Sequence, residues 1–74
     1  MKNIDELEFV IFCIENISKE LRMDARVVYA KLTEDSNLLT SYVAANYDLL
    51  HTQGREYIVN DIVSVMREAG LVDA

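Results

Sequence analysis

The run FVIFCI, Phe9–Ile14, decides the fold, because six consecutive apolar residues suit either a buried β-strand or one side of a helix. A strand this short needs turn formers at its ends, and none stand there. Asp5, Glu6 and Glu8 precede the run, and Glu15 and Asn16 follow it. Leu7, Val10, Ile11, Ile14, Ile17 and Leu21 recur every three or four positions through the run and beyond it on both sides. The period is helical, and it predicts a first helix from Ile4 to Arg22. Asn3 is placed to cap it, with Glu6 three residues on to bond back to the cap. Phe9, Phe12 and Cys13 lie beside the stripe and widen it.

Working outward, Asp24 caps a second short helix, ARVVYAKL, in which Ala25, Val28, Tyr29 and Leu32 form the apolar face. The turn formers of TEDSN, Thr33–Asn37, break the chain. A third helix is predicted over Leu38–Thr52, with Leu39, Tyr42, Val43, Leu49 and Leu50 inward, Asn46 on the same stripe and Gly54 as its left-handed end. The fourth, Arg55–Ala69, turns Ile58, Val59, Ile62, Val63, Met66 and Ala69 inward. Gly70 stops it, and Leu71 is placed to fold back as the apolar contact of a Schellman ending. The expected architecture is all-α: one domain, residues 1–74, folded as a small four-helix bundle with short connections.

Seventy-four residues hold one core only, and a chain of this size buries about 60% of its unfolded surface. A single Cys excludes an internal disulfide, and one Cys with one His is too few for a structural zinc site. No cofactor or metal is expected. Thirteen acids against seven bases give a net charge of −6, which repels phosphate backbones and anionic lipid. Nonspecific nucleic-acid or membrane binding is therefore disfavoured. The apolar run near the start is too short for a signal peptide or a membrane span, so a cytoplasmic protein with a reduced Cys13 is expected.

Three groups of residues resemble chemistry. HTQGREYIVND, His51–Asp61, gathers the only histidine with Arg55, Tyr57 and Asp61. Nucleophilic catalysis needs a nucleophile, a base and an orienting group, and Thr52, the one hydroxyl beside His51, is adjacent and points elsewhere. The structural account has His51 and Arg55 closing carbonyls at the end of helix three, Tyr57 covering the joint and Glu56 at the positive start of helix four. Glu34 and Asp35 are adjacent acids, but two carboxylates without further oxygen ligands make weak evidence for a divalent cation. Lys19, Arg22, Arg26 and Lys31 surround the first bend, and Arg22, Arg26 and Lys31 offer a helix-turn-helix-like DNA contact. Glu20 and Asp24 interleave with these bases and favour local ion pairs instead. Cys13, between Phe12 and Ile14 with no base nearby, reads as a buried, inert thiol.

Taken together, EFVIFCIENISKEL, VVYAKL and YDLLHTQGREYIVNDIVSVM resemble a family of short bacterial proteins of unknown function, over roughly Glu8–Met66. LLHTQGREYIVNDI is the most specific block. The resemblance implies a small accessory protein. Such genes are often found beside predicted toxin-like ADP-ribosyltransferase genes, which implies an antitoxin-like role.

The expectation is a non-enzymatic interaction protein that forms a homodimer or docks a partner protein. Its interface is expected at Phe9, Phe12, Cys13, Tyr42, Val43 and Tyr47, the apolar side chains in excess of what one small core needs. The alternative is an operon regulator using Arg22, Arg26 and Lys31, and a third reading places a ligand or enzyme site at His51, Arg55, Tyr57 and Asp61, with no small molecule identified.

Overall fold

In a computed structural model, which describes residues 4–73, FVIFCI is helical throughout, and among the described residues there is no strand. The first helix, α1, spans Ile4–Leu21 with Asp5 and Glu6 in its first turn and Lys19 in its last, as the helix dipole favours. The expected Asn3 cap lies outside the described residues. The end of α1 is a Schellman turn. The Met23 amide bonds the Ser18 carbonyl at 3.0 Å, and Arg22 holds the left-handed position at φ 55°. The Ser18 hydroxyl also donates to the Met23 carbonyl.

Asp24 caps α2, Ala25–Thr33, by accepting the Arg26 amide at 2.8 Å. After the turn, the expected third helix is broken in two. Leu39–Ala44 is a π-helical segment, and a single α turn, α3, follows at Tyr47–Leu50. The join is Asn46 (φ −102°, ψ 17°), whose side-chain amide donates to the Tyr42 carbonyl at 2.7 Å. The last helix, α4, covers Arg55–Glu68. Gly54 precedes it in an extended conformation (φ −74°, ψ 164°) and occupies its N-cap. Gly54 thus begins α4 and does not supply the left-handed end expected of it. Gly70 does take that role, at φ 76°. The Leu71 amide bonds the Met66 carbonyl at 2.9 Å, the Gly70 amide bonds the Arg67 carbonyl at 3.0 Å, and Leu71 packs on the core.

Three helices of nine residues or more and a broken fourth member therefore take the place of four full helices. α1 is the hub, packing against α2, α4 and the π segment. The core is Phe9, Val10, Cys13 and Ile17 from α1, Val28 and Leu32 from α2, Leu39 and Val43 from the π segment, Leu50 from α3, and Ile58, Val59, Ile62, Val63 and Met66 from α4. Each large aliphatic side chain in this set contributes about 1.5–3 kcal/mol by leaving water. Among the described residues no polar or charged side chain is buried with them.

The inward faces differ from the sequence expectation at several positions. On α1 the buried line is Phe9–Cys13–Ile17 with Val10, while Leu7 (44% exposed) and Ile11 (46%) face out. Tyr29 on α2, Leu49 on α3 and Ala69 beyond α4 are also exposed. On α1 the cause is geometric. Its apolar residues cover more than half of the circumference, so spacing alone does not fix which line turns inward.

Candidate functional site

The residues of the HTQGREYIVND block separate in space. His51 follows the single turn of α3 and turns back on it: its Nδ1 lies 2.6 Å from the Tyr47 carbonyl, and its ring stacks on Tyr47 with centroids 4.4 Å apart. The carbonyl accepts, so Nδ1 carries the proton. Tyr47 in turn meets Phe9 edge-on at 5.4 Å, which fastens α3 to α1. Burial raises the Tyr47 phenol above its ordinary range, and the acids Asp5, Asp48, Glu6 and Glu8 add to the shift. Arg55 bonds no helix-three carbonyl. Its Nε donates to Asn16 Oδ1 at 2.6 Å and ties the start of α4 to α1. His51 thus closes back on α3, whereas Arg55 ties α4 to α1 instead of closing a helix-three carbonyl.

Tyr57 and Asp61 belong elsewhere. Tyr57 is 57% exposed and does not cover the bend. With Asp61 it lines a cleft of about 230 Å³ between α4 and the broken helix, together with Tyr42, Asn46, Leu49, Leu50 and Gln53. Tyr42 donates its hydroxyl to Asp61 Oδ2 at 2.6 Å. That bond, with partial burial and the nearby negative charge of Asp61, Tyr57 and Glu68, pushes the Tyr42 phenol up to about 12. Tyr42 and Asp61 are nineteen positions apart on two elements, so no local pattern in the sequence pairs them.

The expected interface residues are mostly interior. Cys13 and Val43 have no exposed surface and Phe9 retains 8%. Tyr42 and Tyr47 are half-buried, and only Phe12, at 38%, is exposed. The apolar surface that remains lies on the far side of α1. Ile4 (68% exposed), Leu7, Ile11 and the half-buried Ile14 follow one another at spacings of three and four, which makes a continuous seam of the coiled-coil type. Glu8 and Glu15 border it on one flank, with Lys19 one turn beyond. The sequence shows these residues plainly, but assigns Leu7 and Ile11 to the core.

The basic face at the first bend is largely committed. Arg26 meets Asp24 at 3.3 Å, and its hydrogen bonds hold the Asp24 carboxyl below the usual carboxylate range. Lys31 Nζ donates to the Leu71 carbonyl at 2.9 Å. Arg22 is exposed at the left-handed turn. The shallow groove beside Arg26 and Lys31 also carries Asp24 and Asp35, which weaken its pull on a phosphate.

Among the described residues, no group of three or more His, Cys, Asp or Glu side chains is arranged to hold a metal ion. No helix there is long and apolar enough to cross a membrane. Residues 8–69 match the family model described as "Protein of unknown function (DUF3791)". No curated protein and no solved structure matches the chain.

Proposed function

The chain belongs to the DUF3791 family of proteins of unknown function, and from that premise we propose that it is a non-enzymatic protein-interaction module whose contact surface is the outer seam of α1. The supporting observation is that seam: Ile4, Leu7 and Ile11 stand exposed at coiled-coil spacing on the helix that organises the core. The occupant that suits it is a basic amphipathic helix of another protein. Glu8 and Glu15 flank the seam and the chain carries −6, so basic side chains beside an apolar stripe would meet opposite charge. A second copy suits it less well. Antiparallel pairing across the seam would set Glu8 against Glu15 of the other chain, and like charges there oppose association. An antitoxin-like accessory role is one form such docking could take. The Cys13 thiol is buried and offers no surface nucleophile.

The test uses two synthetic helical peptides with the same leucine stripe, one flanked by lysine and arginine and one by glutamate. The basic peptide is expected to bind with a Kd in the micromolar range, and the acidic one not to bind. Ile11→Glu is expected to abolish binding while leaving the urea midpoint unchanged, because Ile11 lies outside the core. Equal binding of both peptides, or binding that survives Ile11→Glu, would refute the reading. So would sedimentation showing a stable homodimer that Ile11→Glu dissociates.

A further inference from the structure

The cleft between the π segment and α4 combines features that the seam on α1 lacks. Two tyrosines, Tyr42 and Tyr57, line it together with the Asp61 carboxylate. Tyr57, Asp61 and Glu68 follow at i, i+4 and i+11 on one face of α4, and Tyr42 feels the charge of Asp61 and Glu68 together. No basic residue lines the cleft. Among the described residues no cation pairs with Asp61, whose hydrogen-bond partner is Tyr42. The Asp61 carboxylate accepts the Tyr42 hydroxyl through Oδ2, which fixes its position against the π segment. Exposed Leu49 and Tyr57 form an apolar rim, and the Asn46 and Gln53 amides complete the lining.

A fixed carboxylate beside aromatic rings attracts a cation through Coulomb and cation–π terms together. Size narrows the class. About 230 Å³ is below the usual range of pockets for cofactors and drug-sized ligands, roughly 300–1,000 Å³, and suits one extended side chain. The π segment is what delivers Tyr42 to this place, and such segments are often found at functional sites. From this geometry we infer that the cleft is a binding site for one guanidinium or ammonium head group, held by Asp61 and the rings of Tyr42 and Tyr57. The head group could reach the cleft on a polypeptide or on a free amine, and the two sources are separable.

The test is an NMR titration at constant ionic strength with N-acetyl-arginine methylamide, agmatine and N-acetyl-citrulline methylamide. Both cations are expected to saturate in the millimolar range, with shifts confined to Tyr42, Asn46, Tyr57 and Asp61. The citrulline compound has the same shape without the charge and is expected not to bind. Tighter binding of the arginine amide than of agmatine assigns the site to a polypeptide side chain, and the reverse order assigns it to a free amine. Asp61→Asn keeps an acceptor for the Tyr42 hydroxyl but removes the charge, and should weaken cation binding about tenfold or more. Tyr57→Ala, at an exposed position that leaves the core intact, should weaken it about tenfold. Equal binding of the citrulline compound, shifts spread over the whole surface, or affinity unchanged in both variants would overturn the assignment.

Discussion

Cys13 shows how much one residue's surroundings decide. It has no exposed surface, and burial pushes its thiol from 9.0 up to about 12. The raised value favours the neutral form in the folded chain. The stability this contributes is intact below the ordinary thiol range and is lost as pH climbs from about 9 towards 12. Because the thiolate is the reactive species, Cys13 should react with a disulfide reagent only when the chain opens. The expected native rate is at least about a thousandfold below the rate in urea, tracking global unfolding as urea is raised. A native rate close to that in urea would show the thiol to be accessible. This inert state was legible from the sequence, since no neighbouring residue could lower the pKa. The outward turn of Leu7 and Ile11 was not legible, because an isoleucine facing solvent and one facing the core are the same letter.

At the scale of the element, the ends of α1 and α4 make the same pair of Schellman features with different residues in the left-handed position, Arg22 in one and Gly70 in the other. Arginine carries a Cβ that this conformation crowds, whereas glycine does not. Arg22→Gly is therefore expected to stabilise the protein by about 0.5–1 kcal/mol, after allowing for the greater freedom of glycine in the unfolded chain. A urea midpoint that rises with an unchanged slope is the measurement, and a fall would contradict the account. The sequence announced the end at Gly70 and concealed the one at Arg22, since only glycine signals such a turn. At Gly54 the same letter misled: its freedom permits a left-handed turn without requiring one, and the chain uses it extended, before the acid of α4's first turn. The break in the third helix left no trace, because no proline or glycine lies between Leu38 and Thr52. Two bonds accompany it, a local one from the Asn46 amide to the Tyr42 carbonyl and a long-range one from the Tyr42 phenol to Asp61.

Across the whole molecule, the Cα radius of gyration is 11.1 Å, and roughly 11.3 Å is expected of a compact chain of this length. The chain is thus as compact as its length leads one to expect, and the exposed seam on α1 does not arise from an expanded fold. Interior and seam should then respond differently to the same chemical change. Ile62 has no exposed surface, and Ile62→Ala should cost about 2–5 kcal/mol, a large part of the roughly 4–11 kcal/mol available to a domain this size. Ile11→Ala should move stability by no more than about 0.5 kcal/mol. Urea denaturation of the two variants checks the contrast, and comparable losses would mean that the outer line of α1 is part of the core. The all-helical class and the α4 face were readable because α4 carries one narrow apolar line. The cleft was not, since it exists only where two distant elements meet.

The π segment makes chain length itself a structural variable. Each i→i+5 ring encloses one residue more than the i→i+4 ring of an ordinary helix, so Leu39–Ala44 holds a surplus residue inside a rod rather than in a loop. Removing solvent-facing Thr40 or Ser41 would let the backbone close into regular turns. Because the wider π turns already absorb the extra residue, the flanking residues would keep nearly the same phase, with Val43 still turned inward and Tyr42 still on the side of its carboxylate. Insertions and deletions are usually absorbed at bends, but here a helix takes up one residue while the two halves of the molecule stay in phase.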